Sequence, residues 1–362
     1  MPFFHYSGIK ISAMAAAVPV ESIGINAYRE QYDEKVIDRY VKMTGIRSHR
    51  RTHTHQTVSD LGFAAAEKIL NEKRIDRSRI HALVFGSHSM DYRMPATACV
   101  LQRRLRLSQN CAAFDINLGC SAMTYGMQAI CSMMNSSDID CALLIVGESM
   151  SKITNPMDRS VNMLFGDGGG AVLFERESDE KIISIQLETD GSGYRTIVVP
   201  AGGFRNMNAP AENMEWRDGN TRSLNECYMN GTGVFVFSLT DVPKTVKEFW
   251  ERTRTSAADY DCFAFHQANL LIQKELAKKL EIPMDKMPLC LDRYGNTGPA
   301  STLLALCDAY GEKRGGTLNT LFCCFGVGLS WGVASVELQV DDIFPIIETD
   351  DYFEEGVINA PF

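Results

Sequence analysis

Apolar positions along this chain gather in short unbroken runs separated by amphipathic stretches, the pattern of buried strands alternating with helices. SGIKISAMAAAVP near the start predicts a strand, with polar helical sequence from about Ile25 to Met43. Leu61, Ala65 and Ile69 recur at helical spacing and predict a helix over Asp60 to Asn71, followed by the strand ALVFGSH at 82–88. A helix around Ala96 to Leu105, the stretch AFDINLGCSAMTYGMQAI at 113–130 and the strand ALLIVGES at 142–149 continue the alternation. FGDGGGAVLFERE at 165–177 reads as a glycine-rich turn entering a strand.

The second half repeats this order. IISIQLETD and a long loop lead through MNGTGVFVF to a helix expected over Val242 to Arg254, and the strand CFAFHQAN at 262–269 stands where ALVFGSH stood. After a helix from Leu271 to Leu280, LCLDRYGNTGPASTLLAL reads as strand, glycine turn and apolar helix, like the stretch at 113–130, and LFCCFGVG at 321–328 closes the series. His88 precedes Cys120 by 32 residues and His266 precedes Asn296 by 30. Two similar α/β halves about a pseudo-twofold follow, 1–178 and 179–340, with the linker near Glu175 to Lys181 and an acidic extension over 341–362. The buried helices of the two halves then begin near one another, at Cys120 and Asn296.

Cys120 sits where a strand turns through Gly119 into a helix apolar on all sides. A thiol at that first turn meets unpaired N–H groups and the positive end of the helix dipole, which predicts a lowered pKa. The alternative is a packed core thiol.

Composition narrows the field. The 362 residues are 45% hydrophobic and carry a net charge of −9, with no basic block, which excludes a nucleic-acid partner and a polybasic membrane anchor. No apolar run reaches the roughly 18 residues of a membrane span, and MPFFHYSG lacks the pattern of a secretory leader, so the chain is read as cytoplasmic. The eleven cysteines form no CxxC pair and mostly sit in apolar runs, so reduced core thiols are expected. His49, His53 and His55 lie among arginines without a carboxylate or cysteine, so no metal is expected there. FGDGGG lacks the Lys-Ser/Thr of a phosphate loop and precedes a strand, which favours close helix–sheet packing.

TGIR at 44–47, AFDINLGCSA around Cys120, NPMDRSVNMLFGDGGGAVL at 155–173, FHQAN at 265–269, DRYGNTGPAS at 292–301 and FGVGLSWG at 325–332 together resemble ketoacyl-acyl-carrier-protein synthase III of the thiolase superfamily, over about residues 5 to 338. The resemblance implies a thiolase-like five-layered αβαβα fold of two pseudo-symmetric halves and a homodimer. It also implies a nucleophilic Cys120, His266 with Asn296 as the decarboxylation pair, and an oxyanion hole from the backbone N–H groups of Cys120 and Val327. No cofactor is implied; thioesters of coenzyme A or an acyl carrier protein are substrates. A thiolate accepts an acyl group as a thioester and releases it to a carbon nucleophile, and an imidazole Nε2–H with an Asn amide stabilises the enolate left by decarboxylation.

The same resemblance places donor-thioester contacts at Arg159, Arg39 and Asn269, the acyl pocket at Met94 (from the partner subunit) and Phe204, and carrier docking at Lys274 and Lys278. Arg39 stands where the family has an adenine-stacking tryptophan, and Met43 where it has an arginine. Leu271 and Val236 replace two docking cations, which points to a dedicated carrier or to coenzyme A esters. The loop from Pro200 to Met229, with Phe204, Trp216 and Tyr228, is expected to roof the pocket. These departures suggest a specialised condensing enzyme of fatty acid, polyketide or acyl-conjugate synthesis. Acyl transfer from Cys120 without decarboxylation, and a non-catalytic partner subunit, are the competing readings. The tail after Gln339, with seven acids and no base, reads as solvated, or else as packing on the body through IFPII and the final APF.

Overall fold

A computed structural model of the chain describes residues 2–178 and 181–359. Eleven strands form two sheets. They are β1 (Phe3–Ser7), β2 (Ile9–Val18), β3 (Ala82–Gly86), β4 (Ala112–Ile116), β5 (Cys141–Glu148), β6 (Gly168–Arg176), β7 (Ile182–Thr189), β8 (Cys262–Phe265), β9 (Thr317–Gly326), β10 (Ser330–Gln339) and β11 (Ile347–Glu348). The first sheet runs β11-β2-β6-β5-β3-β4 and the second β1-β7-β10-β9-β8. In each, two antiparallel pairings lead to a parallel one: β2 with β6, β6 with β5, β5 with β3, and likewise β7 with β10, β10 with β9, β9 with β8. This is the repeat read from the sequence.

The sheets face each other across two buried helices, α4 (Ala122–Ser136) and α7 (Ser301–Tyr310). One core joins both inner sheet faces to these helices through Met127, Ile130, Leu303, Leu306, Leu144 and Phe322, which is why both helices are apolar all round. α2 (Val58–Glu72) and α3 (Thr97–Arg104) cover the outer face of the first sheet. α5 (Gly231–Thr253) and α6 (Leu270–Leu280) cover that of the second. The result is the five-layered αβαβα arrangement. Gly169 and Gly170 explain the glycine-rich stretch. A Cβ on Gly169 would stand 2.9 Å from the Leu61 side chain and one on Gly170 2.7 Å from that of Leu303, so β6 fits between α2 and α7 only without side chains.

Several expectations are corrected. The expected first strand is β2, but an unexpected strand β1 precedes it and pairs with β7 in the second sheet, while β11 pairs with β2 in the first, so each terminus crosses to the other half. Glu175 and Arg176 end β6 and Lys181 precedes β7, while Asp179 and Glu180 of the expected linker lie outside the described residues. LCLDRY is no strand: Leu291–Tyr294 is a single helical turn, and among the described residues the second sheet has no counterpart of β4. α5 starts at Gly231, eleven residues before Val242, because the Asn230 side chain accepts from the Gly233 N–H and caps it there.

The acidic extension packs on the first half rather than standing in solvent. Ile343 is buried, the Phe344 N–H donates to the Met14 carbonyl, and the Arg104 guanidinium lies between the Phe63 and Phe353 rings at 4.5 and 4.7 Å. The final Ala360-Pro361-Phe362 lies outside the described residues. Among those described, no helix is long and apolar enough to cross a membrane and no three His, Cys, Asp or Glu side chains converge on a metal-sized site.

Candidate active site

A cavity of about 440 Å³ opens between the halves, with Cys120, His266 and Asn296 all on its wall. Its wall includes Met43 and Thr44 at the end of α1 (Glu34–Thr44), Val234 and Phe235 of α5, and Leu271 of α6. Met150, Phe165, Ile197 and Met229 line it as well, so the lining is apolar with few polar groups.

Cys120 follows β4 and precedes the first residue of α4, with Ser121 between. The Ser121 hydroxyl is 2.7 Å from that of Ser330, and Ser330 Oγ donates to the Val327 carbonyl, tying the cysteine turn to the glycine-rich turn between β9 and β10. The backbone N–H groups of Val327 and Cys120 both act on Sγ and favour the thiolate. They do not prevail. Burial, then the neighbouring Glu148 carboxylate, push the thiol up to about 12, so the expected lowering by the helix terminus is corrected: the free enzyme holds a thiol.

FHQAN distributes its work along one turn. His266 ends at the cavity; the Gln267 side-chain oxygen accepts from the Cys290 and Leu291 N–H groups; the Asn269 side chain caps α6 by accepting from Ile272 N–H. His266 Nδ1 lies 3.1 Å from the Gly298 carbonyl and 2.9 Å from Ser301 Oγ. Burial lowers its pKa to about 4, so the ring is neutral in ordinary buffers. Asn296 is fixed on three sides. Its N–H donates to Leu164 O, its carbonyl accepts from Gly166 N–H, and its side-chain oxygen accepts from Gly298 N–H, which leaves the amide NH₂ as its free donor.

Among the cavity residues to which the sequence reading gave no role, two are ionisable. Glu148, the last residue of β5, is buried and accepts from Ser89 Oγ, Ser87 Oγ and the His88 N–H; His88 lies beside it with Nδ1 3.8 Å from Glu148 Oε1. A lone acid closing an apolar strand, opposite a histidine closing its neighbour, was the available signal.

The remaining expected site residues divide. Asn269 and Leu271 reach the cavity, whereas Arg39, Arg159, Lys274 and Lys278 are exposed and do not line it. Phe204 is 83% exposed and off the cavity wall, which corrects its placement in the acyl pocket of its own chain; Met94, 81% exposed, is likewise off that wall. Trp216 and Tyr228 do not roof the pocket. They stack on each other at 5.2 Å, and the buried Arg222 guanidinium lies 5.0 and 5.2 Å from the two ring centres and donates to Asp158 and Asp218. Only the ends of that loop region, Ile197 and Met229, reach the cavity.

Five layers, with a cysteine turn and a histidine–asparagine pair meeting at one cavity between the halves, define a thiolase-like fold. The family model described as 3-oxoacyl-[acyl-carrier-protein] synthase III matches residues 114–191, and its C-terminal companion matches 250–338. The beta-ketoacyl-[acyl-carrier-protein] synthase III of Caldanaerobacter subterraneus subsp. tengcongensis is 33% identical over 312 residues, covering 84% of this chain and 91% of the relative. The one from Xanthomonas campestris pv. campestris is 34% identical over 296 residues, covering 80% and 86%. Among solved structures, a 3-oxoacyl-(acyl-carrier protein) synthase from Burkholderia xenovorans LB400 superposes with a TM-score of 0.90 at 34% identity, covering 96% of this chain and 99% of that one. This chain belongs to the beta-ketoacyl-acyl-carrier-protein synthase III family and is an enzyme of that type.

Proposed function

We propose that the protein loads an acyl group onto Cys120 and extends it by decarboxylative Claisen condensation with a malonyl thioester. The observation that carries this reading is the convergence of Cys120, His266 and Asn296 on one cavity, with two backbone N–H groups at the sulfur and a free amide NH₂ on Asn296. Sγ attacks the donor thioester carbonyl, the Cys120 and Val327 N–H groups hold the developing oxyanion, and the donor thiol departs. The malonyl thioester then loses CO₂, its thioester oxygen taking charge against Asn296 and His266 Nε2–H. The enolate carbon attacks the Cys120 thioester, and the cysteine sulfur leaves.

His266 serves this sequence through Nδ1. A proton on Nδ1 suits the Gly298 carbonyl and leaves Nε2 an acceptor, whereas a proton donated by Ser301 Oγ to Nδ1 leaves Nε2–H facing the reaction. The second arrangement is the one decarboxylation needs. Acyl transfer without decarboxylation would make no use of the fixed Asn296 amide.

The same reading includes a homodimer with Met94 entering the partner's acyl cavity. Arg93 donates to the Gly202 carbonyl, joining the loops that expose Met94 and Phe204. The donor arrives on coenzyme A or a dedicated carrier, in a specialised fatty acid, polyketide or acyl-conjugate pathway. Incubation with acyl thioesters followed by intact mass tests the reading: acylation confined to Cys120 and absent from Cys120→Ala supports it, and acylation elsewhere or none contradicts it.

A further inference from the structure

The cavity lining is largely apolar, with His88 and Glu148 among its few polar side chains. Cys120 shares this cavity with Met150, Phe165, Ile197 and Met229, so an acyl group loaded on Sγ lies in the space that His88 also lines. His88 joins that lining immediately beside the nucleophile. A Cβ on Gly119 would stand 2.9 Å from His88 Nδ1 and 3.1 Å from its Cε1, so the ring rests on the residue preceding Cys120 and any side chain there would displace it. The glycine therefore does more than permit a turn.

Glu148 holds the ring's other side. Its side chain is 3% accessible and its carboxylate is anchored by Ser87, Ser89 and the His88 N–H. Of the two ring nitrogens, Nδ1 is the nearer to the carboxylate, at 3.8 Å, so a proton placed there faces the negative charge. Nε2 is then an acceptor, and among the described residues no side chain or backbone group hydrogen-bonds the ring. The His88 side chain is 28% accessible and lines the cavity. A plain alkyl chain laid there would desolvate Nε2 with nothing in return.

We propose that His88, positioned by Glu148, selects a short acyl donor bearing a hydroxyl close to the thioester, with the hydroxyl donating to His88 Nε2. This rests on the acyl-enzyme reading above and names the donor class for it. The preference follows from complementarity. A pocket built to hydrogen-bond a hydroxyl discriminates far more strongly against the analogue lacking it than an apolar pocket discriminates between chain lengths.

The test compares initial rates of Cys120 acylation, read by intact mass on the full chain, for 3-hydroxybutyryl-coenzyme A against butyryl-coenzyme A, with acetyl-coenzyme A alongside. The hydroxylated donor is expected to load faster by about tenfold or more. His88→Leu should abolish or invert that ratio by accepting the alkyl donor, and His88→Gln, which keeps a hydrogen-bonding group, should retain part of it, with melting curves confirming that both variants fold. Butyryl loading as fast as 3-hydroxybutyryl in the unmodified protein overturns the inference, as does a His88→Leu protein that keeps the preference. If acetyl or butyryl loads and 3-hydroxybutyryl does not, only the inference fails. If none of the three acylates Cys120, the acyl-enzyme reading fails and takes the inference with it.

Discussion

Ser301 Oγ lies 2.9 Å from His266 Nδ1, at the one ring atom that decides whether Nε2 donates or accepts. The Gly298 carbonyl competes for the same atom at 3.1 Å, and Gln267 N–H donates to Ser301 Oγ at 3.2 Å, orienting the hydroxyl. The two neighbours thus pull the tautomer of this neutral histidine in opposite directions: the carbonyl can only accept from Nδ1–H, whereas the serine hydroxyl can donate to Nδ1.

Ser301→Ala leaves Nδ1 with only the carbonyl, which stabilises Nδ1–H and turns Nε2 into an acceptor. Decarboxylation of the malonyl thioester should then fall by about 10²-fold, the scale of losing one oxyanion donor, while acyl loading changes little. Ser301→Thr, which restores the hydroxyl, should recover most of the rate. Single-turnover loading and CO₂ release measured on the same preparations separate the two steps; equal losses in both would refute the tautomer assignment.

The Cys120 thiol, raised by burial and by Glu148, should behave as a poor nucleophile toward small alkylating agents in the free enzyme. Its pKa of about 12 means that the thiolate fraction, and so the iodoacetamide rate, climbs about tenfold per pH unit from pH 7 to 9 without a plateau. A plateau beginning near neutrality would show that the backbone N–H groups outweigh burial. Glu148→Gln removes the repelling charge and should raise the rate at fixed pH.

Much of this architecture is legible in the sequence. Matching spacings about Cys120 and Asn296 bring the two central helices together, and the apolar residues around α4 mark it as interior. What escaped has physical reasons. GTGVFVF has the β-branched and aromatic character of a strand, yet Asn230 caps a helix there because Phe237, Val242, Val246 and Phe249 find a sheet to pack on. The exchange of β1 and β11 between sheets is decided by which edge lies open in three dimensions, which local pattern does not encode. The thiol's pKa was misjudged because a helix terminus is visible in sequence, whereas the burial that chiefly raises it and the carboxylate 28 residues further on are not. Phe204 was misplaced because aromatic residues in a loop signal burial without saying where, and there it was Trp216 and Tyr228 that closed over Arg222.

A prediction about the carrier starts from the surface around the cavity. Leu271 lines the cavity and Val236 is 53% exposed on α5, while Lys274 and Lys278 stay exposed on α6 and Lys279 donates to the Leu239 carbonyl. A weaker cationic patch slows association with an acidic carrier more than it alters chemistry. We expect poor kcat/KM for malonyl on a generic fatty-acid carrier relative to the coenzyme A or cognate-carrier form. Leu271→Arg combined with Val236→Lys should raise the generic value and steepen its loss with salt. Efficient, strongly salt-sensitive use of the generic carrier by the unmodified protein would show that the remaining lysines suffice.

The central claim is a division of labour between one cysteine and a histidine–asparagine pair, and Asn296→Ala tests it most directly. Its side-chain oxygen is already committed to Gly298 N–H, so the substitution removes the free amide NH₂ together with that one anchoring bond. The measurement is acylation of Cys120 by intact mass and, in the same sample, labelled CO₂ released from malonyl thioester. Undiminished acylation with CO₂ release reduced by about 10²–10³-fold is the predicted result; condensation at the unmodified rate would contradict the account.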